Sequence, residues 1–259
     1  MTPWERLQEA WCRVRGWYPA RVAGRQLRCD PDHISFWSKV DNGSWEPQTF
    51  TVLDSILAPG GIHLDVGAWI GPTVLHAAHC SKKVFCFEPD KVAYMYLLAN
   101  LKLNKLDNVI PFNMAVAEKS SISRMASPRG KRGDSMTSLL YPDGKAGMEV
   151  VVIAWQQWLE LVGRPVFTSI KMDVEGGEFT LLPAMKSYLQ QQKPALYLSL
   201  HPHLLPVDKR QQQMTAMVDL LSPLYELADS GSGERQPVGN LLTAERVDRG
   251  GSYLLLPVA

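Results

Sequence analysis

From Ile62 onward the chain alternates between short apolar runs and helical stripes. The apolar runs are Ile62–Val66, Val84–Phe87, Val109–Phe112, Ser169–Asp173 and Ala195–Leu200. Between them, Val92, Met95, Tyr96, Ala99 and Leu103 fall at i, i+3, i+4, i+7 and i+11, and Met214, Met217, Val218 and Leu221 repeat that spacing later. Strands alternating with helices predict an α/β fold, a mostly parallel sheet with helices on both faces. Ligands of such sheets sit at the carboxyl ends of the strands, near the point where strand order reverses.

Two segments interrupt the pattern. Ser123 to Gly147, SRMASPRGKRGDSMTSLLYPDGKAG, reads as a long mobile loop, and a long loop in a compact domain is often functional. The run Glu149–Ile153 after it reads as a strand at a sheet edge. Asp229 to Asn240 separates YELA from GSYLLLPVA, which suits two antiparallel strands closing the sheet.

Residues 1–55 read as a helix followed by an irregular cap, and 56–259 as the main domain. The N-terminal helix has a Thr2–Glu5 capping box and Pro3 at its first position. Its apolar stripe is Trp4, Leu7, Trp11 and Val14, suited to packing on the domain or on a second copy in a homo-oligomer. A second helix is expected near Gln48 to Leu57.

The chain has 259 residues, 46% of them hydrophobic and 20% charged, enough to bury a core without staples. The formal charge of +1 gives no global attraction to nucleic acid or an anionic membrane, so no nucleic-acid partner is expected. No segment approaches the roughly 20 apolar residues of a membrane span. Cys12, Cys29, Cys80 and Cys86 form no C-x-x-C pair and no cysteine–histidine set with zinc spacing, which reads as reduced thiols and a cytoplasmic location.

Four stretches carry chemistry. In HLDVGAWIGPTV, Asp65 ends a strand, Gly67 and Gly71 frame a turn, and Pro72 and Thr73 open a helix. Backbone amides at that helix start favour an anionic group, while Asp65 favours a cation or ammonium. In VFCFEPD, Glu88 lies 88 − 67 = 21 residues after Gly67, where an acid can accept both hydroxyls of a ribose. Neither G-x-G-x-x-G nor a phosphate-loop motif is present, so a ligand with a ribose, an ammonium and a carboxylate fits better than a dinucleotide. In SIKMDVEGGEF, Asp173 and Glu175 reach a strand end and share a face if the strand persists; Glu175 or Glu178 could instead cap the next helix. In LYLSLHPHLL, His201 follows a strand and can accept a proton near neutral pH, with His203 two residues on. A set of His201, His203, Asp173 and Glu175 matches no defined metal motif, and no metal is expected.

The combination LDVGAWIGPTVL, VFCFEPD, NLKLNKLDNV and SIKMDVEGGEFTLL resembles the FkbM-type methyltransferases, from about Trp45 to His203. The resemblance implies a class I methyltransferase: a Rossmann-like, mostly parallel seven-stranded sheet with an antiparallel last strand, using S-adenosylmethionine. By position it implies that Asp65, Gly67, Ala68 and Gly71 line the methionine end of the cofactor, with Thr73 nearby and Trp69 as a further cofactor-binding candidate. Glu88 would hold the ribose, and Pro89, Asn113, Met114 and Ala115 would lie near the adenine. Asp173 would face the methyl group, with Glu175 and His201 as further catalytic candidates, and Glu46 would reach the cofactor or close the site. Trp69 stands where the family commonly has asparagine, and Ile153–Leu159 lacks the aspartates often seen before the fourth strand. The expected activity is O-methylation of a small molecule, sugar or glycan. RNA or nitrogen methylation, and a non-catalytic partner protein, are the alternatives.

Overall fold

The computed structural model describes residues 3–258. Helix α1 (Pro3–Arg15) leads into a hairpin of β1 (Tyr18–Val22) and β2 (Arg25–Cys29), then α2 (Ile34–Asp41) and α3 (Pro47–Ile56). The alternation follows as β3 (Ile62–Val66), α4 (Pro72–Cys80), β4 (Lys83–Phe87), α5 (Lys91–Leu103) and β5 (Val109–Phe112). Next come β6 (Ala115–Ala117), β7 (Ser121–Met125), β8 (Met148–Ala154), α6 (Trp155–Leu161), β9 (Ser169–Met172), α7 (Glu178–Ala184) and α8 (Lys186–Gln192). The chain ends with β10 (Ala195–Leu200), α9 (Val207–Leu221), β11 (Tyr225–Ala228), β12 (Arg235–Pro237), α10 (Ala244–Arg249) and β13 (Gly251–Pro257).

The main sheet has the order β12-β11-β13-β10-β9-β3-β4-β5. Strands β10, β9, β3, β4 and β5 run parallel, and β13 is antiparallel to both its neighbours. The chain moves outward from β3 to β5, then crosses back to place β9 on the other side of β3. The switch point therefore lies between β3 and β9, and the loops after them define the place for a ligand.

The sheet has eight strands rather than the expected seven. The extra one is β12, laid antiparallel on β11. Asp229 causes it: its Oδ1 accepts the N–H groups of Gly231 and Ser232 at 3.0 and 2.6 Å and turns the chain straight back. A second correction concerns residues 148–154. They are not an edge of the main sheet but the centre of a separate three-stranded sheet, β6-β8-β7. Alternating burial along β8 is what a strand covered on one face shows.

Apolar side chains fill both faces of the main sheet. Trp155, Trp158, Phe85, Phe167 and Met214 pack on one side. Leu53, Leu75 and Leu97 pack on the other, together with Val22, Leu27 and Trp37 from before the first sheet strand. Asp30 fastens this N-terminal segment: buried, it accepts from Trp37 Nε1 at 2.8 Å and Asn100 Nδ2 at 3.2 Å.

The α1 stripe does not pack on the domain. Leu7, Trp11 and Val14 are exposed, while Cys12 points inward and is buried. The side chains of Trp4 and Glu5, and all of Thr2, lie outside the described residues, and with them the capping box. No helix among the described residues is long and apolar enough to cross a membrane.

Candidate active site

The turn after β3 is set by backbone geometry before any ligand is considered. Gly67 takes φ +90°, and a Cβ there would overlap the carbonyl oxygen of Asp173 and lie 2.8 Å from its carbonyl carbon. Only glycine lets the β3 and β9 exits come this close. Trp69 is also left-handed, at φ +48°. Gly71, at φ +98°, is the N-cap of α4, and Pro72 follows at its start.

Asp65 is fully buried, and both its oxygens are taken within the chain. Lys171 Nζ reaches Oδ1 at 3.1 Å, and Thr73 Oγ1 donates to Oδ2 at 2.5 Å. The two strands put Asp65 directly opposite Lys171. Lys171 also donates to the Gly67 carbonyl at 3.1 Å, bracing the turn. Burial works against the lysine charge, but Asp65, Asp173 and Glu46 around it raise its pKa above the ordinary value. The ammonium that Asp65 holds is thus the protein's own. Removing it strands a buried carboxylate, so Lys171→Ala is expected to cost about 3–5 kcal/mol. Urea melts of the two proteins measure this.

Glu88 ends β4 and is buried. Its Oε2 accepts from Trp69 N at 2.8 Å and its Oε1 from Asp90 N at 2.7 Å. Burial pushes its pKa up to about 8, against those two hydrogen bonds. When ionised it has about four acceptor positions, so one on each oxygen is left for a ligand in the cavity that it lines.

That cavity, of about 270 Å³, joins the strand ends. Gly67, Trp69, Glu88, Pro89, Ala115, Asp173 and Glu175 line it, with apolar walls from Phe87, Val116 and Met125. Ala68, Gly71 and Thr73 lie behind its wall, all largely or fully buried. Asn113 donates to the carbonyls of Glu88 and Pro89 at 2.9 and 3.2 Å, holding that loop, and Met114 packs against the core. Glu46 caps α3 in a left-handed conformation and accepts from Thr49 Oγ1 at 3.0 Å.

Residues 126–147 cross over the cavity, with Ser123–Met125 paired to β8 as strand rather than loop. The crossing segment is pinned at Gly133: Trp69 Nε1 donates to its carbonyl at 2.9 Å, and its N–H donates to Asp90 at 2.6 Å. Ser138 Oγ donates to the Glu175 carbonyl at 2.6 Å. Trp69, where an asparagine is common in the family, therefore ties this segment down. It also packs edge-on against Phe36, 4.5 Å between centroids. Arg129 pairs with Asp134, and Arg132 with the Ala146 carbonyl, so two of the loop cations are used internally.

Three acids surround His201, two of which, Asp173 and Glu175, line the cavity. Its Nδ1 donates to Glu178 Oε1 at 2.9 Å, while Nε2 lies 3.6 Å from Asp173 and 4.0 Å from Glu175. The strand stops at Met172 and Glu175 is left-handed, so the turn, not strand alternation, brings the two acids together. Glu178 is the turn's internal anchor, accepting from Val174 N and Gly176 N, both at 2.9 Å. Burial raises the Glu175 pKa to about 7. Burial alone would lower His201, but its bond to Glu178 and the surrounding acids raise it to about 9. His203 faces away, 3.1 Å from the Arg249 carbonyl.

A histidine that holds its proton more tightly when folded stabilises fully below its ordinary value of 6.5, and loses that contribution as pH rises through about 9. Urea midpoints are expected to fall between pH 6.5 and 9.5, and His201→Gln to flatten part of that fall. An unchanged slope in the variant would contradict the assignment.

Lys171 is the residue that pattern reading missed, and Glu178, read only as a possible helix cap, instead anchors the turn and His201. A lysine inside the apolar run SIKM was the available signal, because a cation in a central strand needs a buried acid on its neighbour.

A mostly parallel sheet with an antiparallel last strand, an acid closing the second strand and a cavity at the switch point define a class I methyltransferase fold. Residues 65–227 match the FkbM methyltransferase domain, and the chain belongs to that family. Its cofactor is S-adenosylmethionine. The chain is structurally similar to an FkbM methyltransferase from Methylobacillus flagellatus (17% identity, TM-score 0.47, covering 80% of this chain and 53% of that one). It spans only about half of that protein's length. An rRNA methylase from Streptococcus thermophilus aligns at 12% identity, TM-score 0.48, over 82% of this chain and 95% of that one. A methyltransferase from Streptococcus mutans, solved with SAH, aligns at 11% identity, TM-score 0.47, over 82% and 97%. At these TM-scores the likenesses carry no functional weight. No curated protein matches the sequence.

Proposed function

We propose that this chain methylates a hydroxyl oxygen of a small molecule, sugar or other natural product. The observation that carries the reading is one cavity lined by Glu88, Asp173 and Glu175, with His201 outside its lining but 3.6 Å from Asp173 and 4.0 Å from Glu175. The residues present fit the cofactor. The two open acceptor positions of Glu88 would take the ribose hydroxyls, with Pro89 and Ala115 beside the adenine. The Gly67 turn and Asp173 would flank the methionine end. Because Lys171 satisfies Asp65, the cofactor's ammonium falls to Glu46 or backbone carbonyls rather than to Asp65 itself.

When bound, the cofactor supplies an electrophilic methyl group on a sulfonium. The protein must align the acceptor oxygen with it and exclude water. Asp173 accepts the hydroxyl proton as attack develops. His201, held protonated by Glu178, keeps Asp173 and Glu175 oriented rather than acting as the base. Leu139 and Leu140, on the segment pinned at Gly133, cover the site from solvent.

The test is methyl transfer from labelled S-adenosylmethionine to a panel of alcohols, phenols and sugars, beside matched amines and RNA. A methyl ether is the expected product. Label found only in an amine or in RNA would overturn the proposal.

A further inference from the structure

We propose that Asp54, His76 and Cys80 form a binding site for a zinc-class divalent transition metal, apart from the active-site cavity. His76 and Cys80 sit one turn apart on α4, and Asp54 faces them from α3. His76 Nε2 lies 2.9 Å from Asp54 Oδ1, and Cys80 Sγ lies 3.9 Å from Nε2 and 4.0 Å from Nδ1. The three ligand atoms all fall within 4.8 Å of one another. A tetrahedral zinc with bonds of about 2.0–2.3 Å spaces its ligands about 3.3–3.6 Å apart, between the two Nε2 distances seen here. To seat the ion Asp54 separates slightly, and the Cys80 side chain swings from beside the ring toward the Nε2 side.

The site is built rather than incidental in two respects. The His76 ring is fixed by the edge-on contact of Phe50, with centroids 5.6 Å apart, so its nitrogen is aimed before any ion arrives. Cys80 is a free thiol, only partly covered, and Asp54 is 61% exposed, so an ion has a path in and room for a water as fourth ligand. One sulfur, one imidazole and one carboxylate select zinc over magnesium or calcium, which prefer oxygen alone. Binding displaces the thiol proton, and thiolate and carboxylate together balance the divalent charge. Arg25 lies near His76 and Cys80 and opposes the ion, which sets a limit on affinity.

The position gives the ion a consequence. Helices α3 and α4 begin at Glu46 and Gly71, at the active-site end, and the three ligands lie in their later turns. A metal here clamps together the two helices whose starts frame the site.

Cobalt(II) titration of the full chain tests this. The wild type is expected to develop a thiolate-to-cobalt charge-transfer band in the near ultraviolet at one equivalent, and zinc to bleach it. Cys80→Ser is expected to abolish the band, and Asp54→Asn to weaken cobalt binding about tenfold or more. Zinc at about 100 times its dissociation constant should raise the wild-type Tm by roughly 5 °C and leave Cys80→Ser unmoved. Both substitutions sit at accessible positions, and unchanged circular dichroism confirms that the variants fold. The group of Asp173, Glu178 and His201 contains no sulfur and cannot produce the band. No band in the wild type, or a band that survives Cys80→Ser, overturns the proposal.

Discussion

Asp173→Asn is expected to lower methyl transfer by about 10²–10⁴-fold while cofactor affinity stays close to that of the wild type. The substitution keeps shape and removes the acceptor for the hydroxyl proton, and a positioned base contributes about that factor. Asp173 is one-third exposed on its side chain, lines the cavity, and lies 3.6 Å from His201 Nε2. The fold should be untouched, because the Asp173 backbone, not its side chain, makes the contact with the β3 turn: its N–H donates to the Val66 carbonyl at 2.9 Å. Single-turnover rates with a true acceptor, beside calorimetry with the cofactor, separate the two effects. Wild-type rates in the variant would remove Asp173 from the chemistry. His201→Gln, by contrast, should reduce the rate less, because a histidine raised to about 9 is already protonated at neutral pH and orients the acids.

Gly67→Ala is expected to destabilise the protein by about 4–5 kcal/mol or more, one of the largest effects available to a single methyl group. The added Cβ overlaps the backbone oxygen of Asp173, and backbone cannot swing aside as a side chain can. The φ of +90° adds strain for any residue other than glycine. A drop in Tm of roughly 10–15 °C is expected for a chain of this length. Gly71→Ala is the contrasting case. Its Cβ meets Leu97 Cδ1, the far end of a side chain, at 2.7 Å, so the backbone strain there remains but the collision can be relieved. Equal, small losses in both variants would show that the β3 and β9 exits are not packed as tightly as described.

The contrast answers what the glycines of HLDVGAWIGPTV do. Gly67 is demanded by the close approach of two strand exits and Gly71 by the left-handed N-cap of α4, whether or not a ligand is present. The cofactor signal lies in what surrounds them. Glu88 and Asp173 stood out because an acid at the end of an apolar strand is costly unless it is used or paired, and both line the cavity. The apolar runs placed all five parallel strands because helices cover both faces and leave no polar alternation.

Other features escaped because they depend on contacts between distant segments. The partner of Asp65 is set by strand order: only when β9 lies beside β3 does Lys171 come opposite it. Glu178 and Glu175 are chemically alike, and only the turn decides that Glu178 is buried on backbone N–H groups while Glu175 lines the cavity. The α1 stripe has the spacing of a packed face, yet Leu7, Trp11 and Val14 are exposed. Periodicity reports that a face is apolar, not what covers it. The role of Trp69 required the 126–147 segment to be in place, since its indole partner is a backbone carbonyl 64 residues away.

Calorimetric titration of the wild type and Glu88→Ala with S-adenosylmethionine, and of the wild type with NAD, tests the central claim most directly. One equivalent of S-adenosylmethionine is expected to bind the wild type, with at least about a tenfold loss in Glu88→Ala from the missing hydrogen bonds to the ribose. NAD is expected not to bind. Tight NAD binding without binding of S-adenosylmethionine, or full affinity in Glu88→Ala, would contradict the assignment of this cavity.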